Sequence, residues 1–305
     1  MPDYEAHPLA VRIKESLPQP LRTVFRIYAA DEVTSTNTVL KEIAASAIQE
    51  NMPIRPTVLI ARSQSGGRGR LGRSFHSPGG TGLYMSILLV PSHSMPPAES
   101  LYLTTATAAA CAEAADAIRC PDDIQQRGTV GSKWVKDLYL ADKKICGILA
   151  EAALTPKADA LSWAVIGIGI NLLPPKDGFP DDLSRTAGAL FSSDSRRNAD
   201  ELLTMLSSDI VSRFMDYLDP AQKNNVRAIY RKRSVLDGRA VLVRPAASLG
   251  GEEIPATVIG IDDDFGLMVR YENGHEAILS SGEVVLCDNG SAAAMQSTRA
   301  SVHLL

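Results

Sequence analysis

Residues 57–90 read TVLIARSQSGGRGRLGRSFHSPGGTGLYMSILLV. Thr57–Arg62 is a short run of β-forming residues, and Gly82–Val90 is a continuous apolar stretch bounded by turn residues, so two buried strands enclose a polar loop. The loop, Gly67-Arg68-Gly69-Arg70-Leu71-Gly72-Arg73, sets guanidiniums on a chain of glycines. Arginine stays charged at any physiological pH and offers a planar fork of donors to carboxylate or phosphate. Glycine allows positive φ and close backbone approach. Alone, the loop fits a catalytic anion cradle and a solvated or RNA-binding basic stretch equally well.

Outward from this stretch, local signals alternate. Val24–Ala29 reads as a strand, and Ser35-Thr36-Asn37 opens a helical run from Val39 to Ile48. Residues 1–22, with several prolines, read as a loosely ordered arm or short helix, too short for a domain. Leu101–Ile118, alanine-rich and free of Gly and Pro, predicts a packed helix. Val130–Leu140 and Lys144–Ala152 read as two strands joined by Ala141-Asp142-Lys143, and Trp163–Leu172 as another, interrupted by Gly167 and Gly169. Residues 173–198 are rich in Pro, Gly, Asp and Ser and predict a surface connection with one helical turn near Leu183–Leu190. Asn198-Ala199-Asp200-Glu201 caps a helix reaching Leu218, and Pro220 starts another reaching Arg233.

Beyond Gly238 the texture changes to five short runs: Ala240–Arg244, Ala256–Ile261, Leu267–Tyr271, His275–Leu279 and Val284–Leu286. Glu272-Asn273-Gly274 has the chemistry of a tight hairpin, and the set predicts a small β-barrel. The expected layout is an arm over 1–22, a main domain over 23–235, the barrel over 236–288 and a flexible tail over 289–305.

The chain has 305 residues, 45% of them hydrophobic, with a formal net charge of −4 and a pI near 5.8. An acidic balance argues against a surface devoted to nucleic acid and makes the arginine cluster a local site for a small anion. Cys111, Cys120, Cys146 and Cys287 form no CxxC pair and read as buried thiols in a reducing cytoplasm. His7, His76, His93, His275 and His303 are far apart, so no metal centre is expected. No run is long enough to span a membrane, and none is expected as partner.

Five signals follow in order: Ser35-Thr36-Asn37; Gln64 with Gly67–Arg73; Lys133-Trp134-Val135-Lys136-Asp137-Leu138; Lys144-Ile145-Cys146-Gly147-Ile148-Leu149-Ala150-Glu151; and Gly167-Ile168-Gly169-Ile170-Asn171-Leu172. This series resembles the biotin protein ligases, or biotin–[acetyl-CoA-carboxylase] ligases, in the form without an N-terminal DNA-binding domain, over roughly Val24 to Leu286. The resemblance implies an α+β fold: a mixed, antiparallel-rich sheet with packed helices forming the catalytic domain, followed by the small C-terminal β-barrel. It implies biotin contacts at Ser35, Thr36, Asn37, Gln64, Arg68, Gly69, Arg70, Lys133 and Gly147. Nucleotide contacts are implied at Arg68, Arg70, Arg73, Phe75, Lys133 and Asn171, with Lys133 and Arg70 carrying the chemistry.

Several of these residues have two readings. Ser35 alone is equally a helix cap, Phe75 stacks on adenine or plugs an apolar gap, and Gly167 and Gly169 permit ligand approach or mark sheet packing. Thr36 and Gln64 suit a ureido group. Val135 and Lys136 stand where the family carries Pro and Asn; on one alternating strand Lys136 would face away from Lys133. The implied reaction uses ATP and biotin as substrates, with Mg²⁺, forms biotinyl-5'-AMP and transfers biotin to a lysine of a biotin carboxyl carrier domain, without DNA. The rivals are a lipoate or octanoate protein ligase of the same fold and a nucleic-acid-binding regulator.

Overall fold

The computed structural model describes residues 4–91, 94–119, 128–193, 195, 197–244 and 253–287, Leu71 by its backbone only. The expected tail over 289–305 and Cys120 lie outside the described residues. The chain divides into two compact units, one ending at Arg233 and one beginning at Ser234.

The first unit holds a seven-stranded sheet in the order β1-β2-β3-β7-β6-β5-β4. Its strands are β1 (Arg26–Val33), β2 (Thr57–Gln64), β3 (Gly82–Leu89), β4 (Gly131–Lys133), β5 (Asp137–Leu140), β6 (Lys143–Leu154) and β7 (Leu161–Asn171). Among the described residues, β1 and β2 are the one parallel pair of this sheet; the other neighbours are antiparallel. A parallel pair needs a crossover, and α3 (Thr36–Gln49) supplies it. Leu40 and Ala44 of α3 pack on Leu59, Leu88 and Val165, one face of the sheet. α4 (Ser100–Ala117) is buried nearly all round, as an alanine-rich helix lying between other layers must be. It packs on β6 and against α5 (Ala199–Tyr217) and α6 (Lys223–Lys232).

Residues 4–25 are not loose. Two short helices, α1 (Pro8–Ser16) and α2 (Gln19–Val24), carry Pro8 and Pro20 in their first turns, where no amide partner is lost. Leu9, Ile13 and Leu17, spaced four apart, are at most 1% exposed, and α1 lies against α5. Arg62 of β2 meets Asp200 of α5 at 2.5 Å, and Arg12 of α1 pairs with the same carboxylate.

Val130–Leu140 is likewise not one strand. Lys133 pairs with Asp137, so the chain reverses through Trp134, Val135 and Lys136, with the Trp134–Val135 peptide cis. The apolar alternation persists across this turn, and neither Gly nor Pro marks it, so the sequence pattern reads straight through. Lys133 and Lys136 therefore do not stand on opposite faces of a continuous strand.

The second unit is a five-stranded antiparallel sheet ordered β11-β10-β9-β8-β12. Its strands are β8 (Ala240–Arg244), β9 (Ile254–Ile261), β10 (Leu267–Tyr271), β11 (Glu276–Leu279) and β12 (Glu283–Leu286). Val241, Val243, Val258, Leu267 and Val269 form its buried face, at alternate positions along each strand. Gly274, at φ +84°, makes the reversal between β10 and β11. Strands β11 and β12 end the sheet, so the structure gives a sheet where a closed barrel is expected.

Candidate active site

One row of paired residues crosses six strands: Lys133–Asp137–Gly147–Gly169–Tyr84–Ala61. The adjacent row on the same face is Leu149–Gly167–Ser86–Leu59. Glycines thus pave the middle of the sheet where α3 ends its cover. A Cβ on Gly169 would sit 2.5 Å from the Phe75 ring, and one on Gly167 would sit 2.2 Å from Asn37 Oδ1. Both are closer than atoms can approach, so these glycines leave room for side chains that come down onto the floor.

The α3 N-terminus closes one side. Ser35 occupies the N-cap position without a side-chain cap bond, so the capping role expected of it alone is not used. Gln64 does that work from β2: its Oε1 accepts from the Thr36 amide at 2.9 Å and lies 3.3 Å from Thr36 Oγ1. Gln64 Nε2 donates to Ser77 Oγ at 3.0 Å. Ser86 Oγ lies 2.7 Å from Thr36 Oγ1 and donates to Asn37 Oδ1 at 2.6 Å. Asn37 Nδ2 reaches β6 at Leu149 O, 3.2 Å, and Glu151 Oε2, 3.0 Å. Ser35, Thr36 and Asn37 are each 3% exposed, so this is a buried polar cluster in an apolar wall.

The glycine-arginine loop is tied at its base. Gly66 N donates to Thr34 O at 2.8 Å, Phe75 N to Gly67 O at 2.9 Å and Gly69 N to Arg73 O at 2.7 Å. Gly67 has no room for a side chain: a Cβ would lie 2.3 Å from Phe75 O. Arg70–Gly72 forms a 3-10 turn, and Arg68 and Arg73 are exposed. Phe75 lies across Gly147 and Gly169 and meets Tyr84 edge-on, centroids 6.4 Å apart. Of its two sequence readings, the structure shows it on the glycine floor.

Charge is arranged around the same face. Glu151 takes Lys41 Nζ at 2.7 Å and lies 3.8 Å from Arg68. Burial would raise its carboxyl, but hydrogen bonds from Lys41 and Asn37 and the charges of Lys41 and Arg68 outweigh this and hold it below its usual range. A bulge between Leu138 and Tyr139 brings Lys144 onto the floor, 3.5 Å from where a Gly147 Cβ would be; its ammonium pairs with Asp137 at 2.7 Å. Lys133 Nζ stands 5.9 Å from the Tyr139 ring centre. Asn171 donates to Gly188 O at 2.9 Å, strapping the connection after β7 to the sheet; that contact was not legible from the glycine-rich strand.

The structure thus gathers Thr36, Asn37, Gln64, Arg68, Phe75, Lys133 and Gly147 about one floor. It adds Ser86, Lys41 and Ser77, which sequence reasoning did not single out, and Asp137, Lys144 and Glu151, which stand in the motif series without an assigned role. Ser86 had a signal: it is the lone hydrogen-bonding side chain between Met85 and Val90.

The sequence profile of the Biotin/lipoate A/B protein ligase family matches residues 29–171, the span from β1 to the end of β7. The bifunctional ligase/repressor BirA of Bacillus spizizenii is 28% identical over 82% of this chain and 71% of its own length. The biotin–[acetyl-CoA-carboxylase] ligase of Mycobacterium tuberculosis is 29% identical over 82% of this chain and 85% of its own. The biotin protein ligase of Aquifex aeolicus, solved in complex with biotin and ATP, superposes with TM-score 0.64 at 25% identity, covering 86% of this chain and 99% of that one. The matched span contains the glycine floor, the arginine loop and the Lys133 hairpin together, and over that span the chain is similar to the Biotin/lipoate A/B protein ligase family.

Proposed function

We propose that this chain is an ATP-dependent biotin protein ligase, which forms biotinyl-5'-AMP and transfers biotin to a lysine of a biotin carboxyl carrier domain. The observation that carries the reading is the polar cluster at the α3 N-terminus beside a glycine floor in register with Lys133. The matched family also includes lipoate ligases, and the chemistry of the polar cluster favours biotin. Thr36, Asn37, Gln64, Ser77 and Ser86 bond one another here, and their donors and acceptors can re-pair with a ureido ring, whereas a dithiolane ring or an alkyl tail offers them no hydrogen-bonding group. The relatives named as biotin ligases support the same choice. An acidic chain weighs against the nucleic-acid reading.

Chemically, a biotin carboxylate oxygen attacks the α-phosphorus of ATP and pyrophosphate leaves. The carrier lysine amine then attacks the acyl carbon, and AMP leaves. No enzyme nucleophile is needed. The protein's part is to bring two anions together and stabilise the charge that builds at phosphorus, through Arg68, Arg70, Arg73 and Lys133. Biotin would contact Ser35, Thr36, Asn37, Gln64, Gly69 and Gly147, and the nucleotide Phe75 and Asn171. Mg²⁺ would travel with the triphosphate and neutralise it, with Asp137 the carboxylate beside Lys133 in the row. The second unit, whose strands we take to curl as a small barrel, would serve the transfer step. No helix among the described residues is long and apolar enough to cross a membrane.

Incubation with biotin, ATP and Mg²⁺ followed by mass spectrometry is expected to show biotinyl-adenylate, and added carrier domain should become biotinylated. Arg70→Ala should slow formation or retention of the adenylate by on the order of 1.5–3 kcal/mol, one charge-assisted contact. An adenylate made only from lipoate or octanoate would overturn the assignment.

A further inference from the structure

The turn that presents Lys133 is held from outside the sheet. Strand β4 is three residues long and, among the described residues, ends the sheet with β5 as its one neighbour, so its own ladder fixes little. The turn Trp134–Lys136 has no glycine or proline to set it. Helix α6 and the residue after it supply what is missing. Tyr230 Oη donates to Val135 O at 3.1 Å, Ser132 Oγ donates to Tyr230 O at 3.4 Å, and Ser132 N donates to Arg233 O at 2.6 Å. Arg233 donates to Val130 O at 2.7 Å and to Asp116 of α4 at 2.6 Å, and Asp116 accepts from Val130 N at 3.0 Å. The Val135 tie is the one contact among these that reaches the turn itself.

We propose that Tyr230 is a positioning residue for adenylate formation: its hydroxyl, by holding the Val135 carbonyl, sets the turn that keeps Lys133 in register with Gly147 and Gly169. The proposal rests on Lys133 being the cation that meets the reacting phosphate. Tyr230 is 1% exposed, and burial, with the nearby Asp137 charge, keeps its phenol protonated above the usual range. It therefore stays a donor throughout the working pH range. A cation that must meet a phosphate oxygen is sensitive to small misplacement, whereas removal of one hydroxyl leaves the packing of the ring intact.

The test is a double-mutant cycle in the full-length chain, read as single-turnover adenylate formation, with Lys133→Met and Tyr230→Phe as the two arms. Tyr230→Phe is expected to lower the rate on the order of tenfold while the affinity for biotin stays within about twofold. In the Lys133→Met background the same change should cost less than about twofold, because no ammonium remains to be placed. Equal losses in both backgrounds would make Tyr230 a scaffold residue and overturn the proposal, as would an unchanged rate in Tyr230→Phe alone. A full rate in Lys133→Met would instead overturn the reading of Lys133, and the proposal with it. Amide exchange gives a second readout that counts only folded molecules. Ile148 N donates to Lys136 O at 3.0 Å, and its exchange should quicken on the order of tenfold in Tyr230→Phe as the turn loosens; unchanged exchange would overturn the proposal.

Discussion

Gly167 shows how a residue with no side chain can govern a polar cluster. Any Cβ there falls 2.2 Å from Asn37 Oδ1, and Asn37, with Thr36 and Lys41, ties α3 to Ser86 and to β6. Gly167→Ala is therefore expected to push Asn37 out of the cluster, destabilise the fold by about 1–3 kcal/mol as an overpacked core site does, and weaken biotin binding. Calorimetric titration with a melting curve would read both; intact binding would show that Asn37 is dispensable. Glu151 provides a pH signature. Its carboxyl is held below the usual range in the folded chain, so the unfolded state binds more protons, and the stabilisation is present above the unfolded value and lost as pH falls through the folded one. Glu151→Gln should thus melt lower than the parent at neutral pH, and the gap should close below the usual carboxylate range. A gap that persists in acid would mean that packing, not charge, is responsible.

The element that matters most for the chemistry is the β4–β5 hairpin. Its reversal at Trp134–Lys136 replaces the argument from strand alternation with one from register: Lys133 pairs with Asp137, which pairs with Gly147 on the floor, while Lys136 sits in the turn and gives its carbonyl to Ile148 N. Lys133→Ala is expected to slow adenylate formation by tenfold or more, on the order of one lost charge-assisted contact, and Lys136→Ala by less than about threefold. A larger defect at Lys136 would mean that the turn, not the strand, presents the working cation. The α3 N-terminus carries a similar lesson. Ser35-Thr36-Asn37 is legible as a helix start, yet the helix is capped by Gln64, twenty-eight residues on in sequence. A cap supplied by another strand leaves no local pattern.

At the scale of the whole chain, the break after Arg233 separates a unit built on the seven-stranded sheet from one with its own apolar face. Every candidate ligand residue lies before that break, so a fragment ending at Arg233, if circular dichroism shows it folded, should still form biotinyl-adenylate but transfer biotin to carrier poorly. Undiminished transfer would remove the second unit from the reaction. The sequence by itself determined most of the elements and their order, the β4–β5 reversal and the α1–α2 pair excepted: strands from period-two or continuous apolar runs, α4 from an alanine run without breakers, and the floor glycines, the arginine loop and Lys133 as members of an ordered motif set. These signals are local, set by backbone freedom, burial pattern and side-chain charge within a few residues. Only the tertiary structure decided that Gln64 caps α3, that a bulge turns Lys144 toward Gly147, that Glu151 neutralises Lys41 and Arg68, that Asn171 holds Gly188, and that α1 is packed rather than loose. Each of these depends on strand register or on a partner far along the chain. Pairing free energy between distant residues leaves no trace in the local pattern of either one.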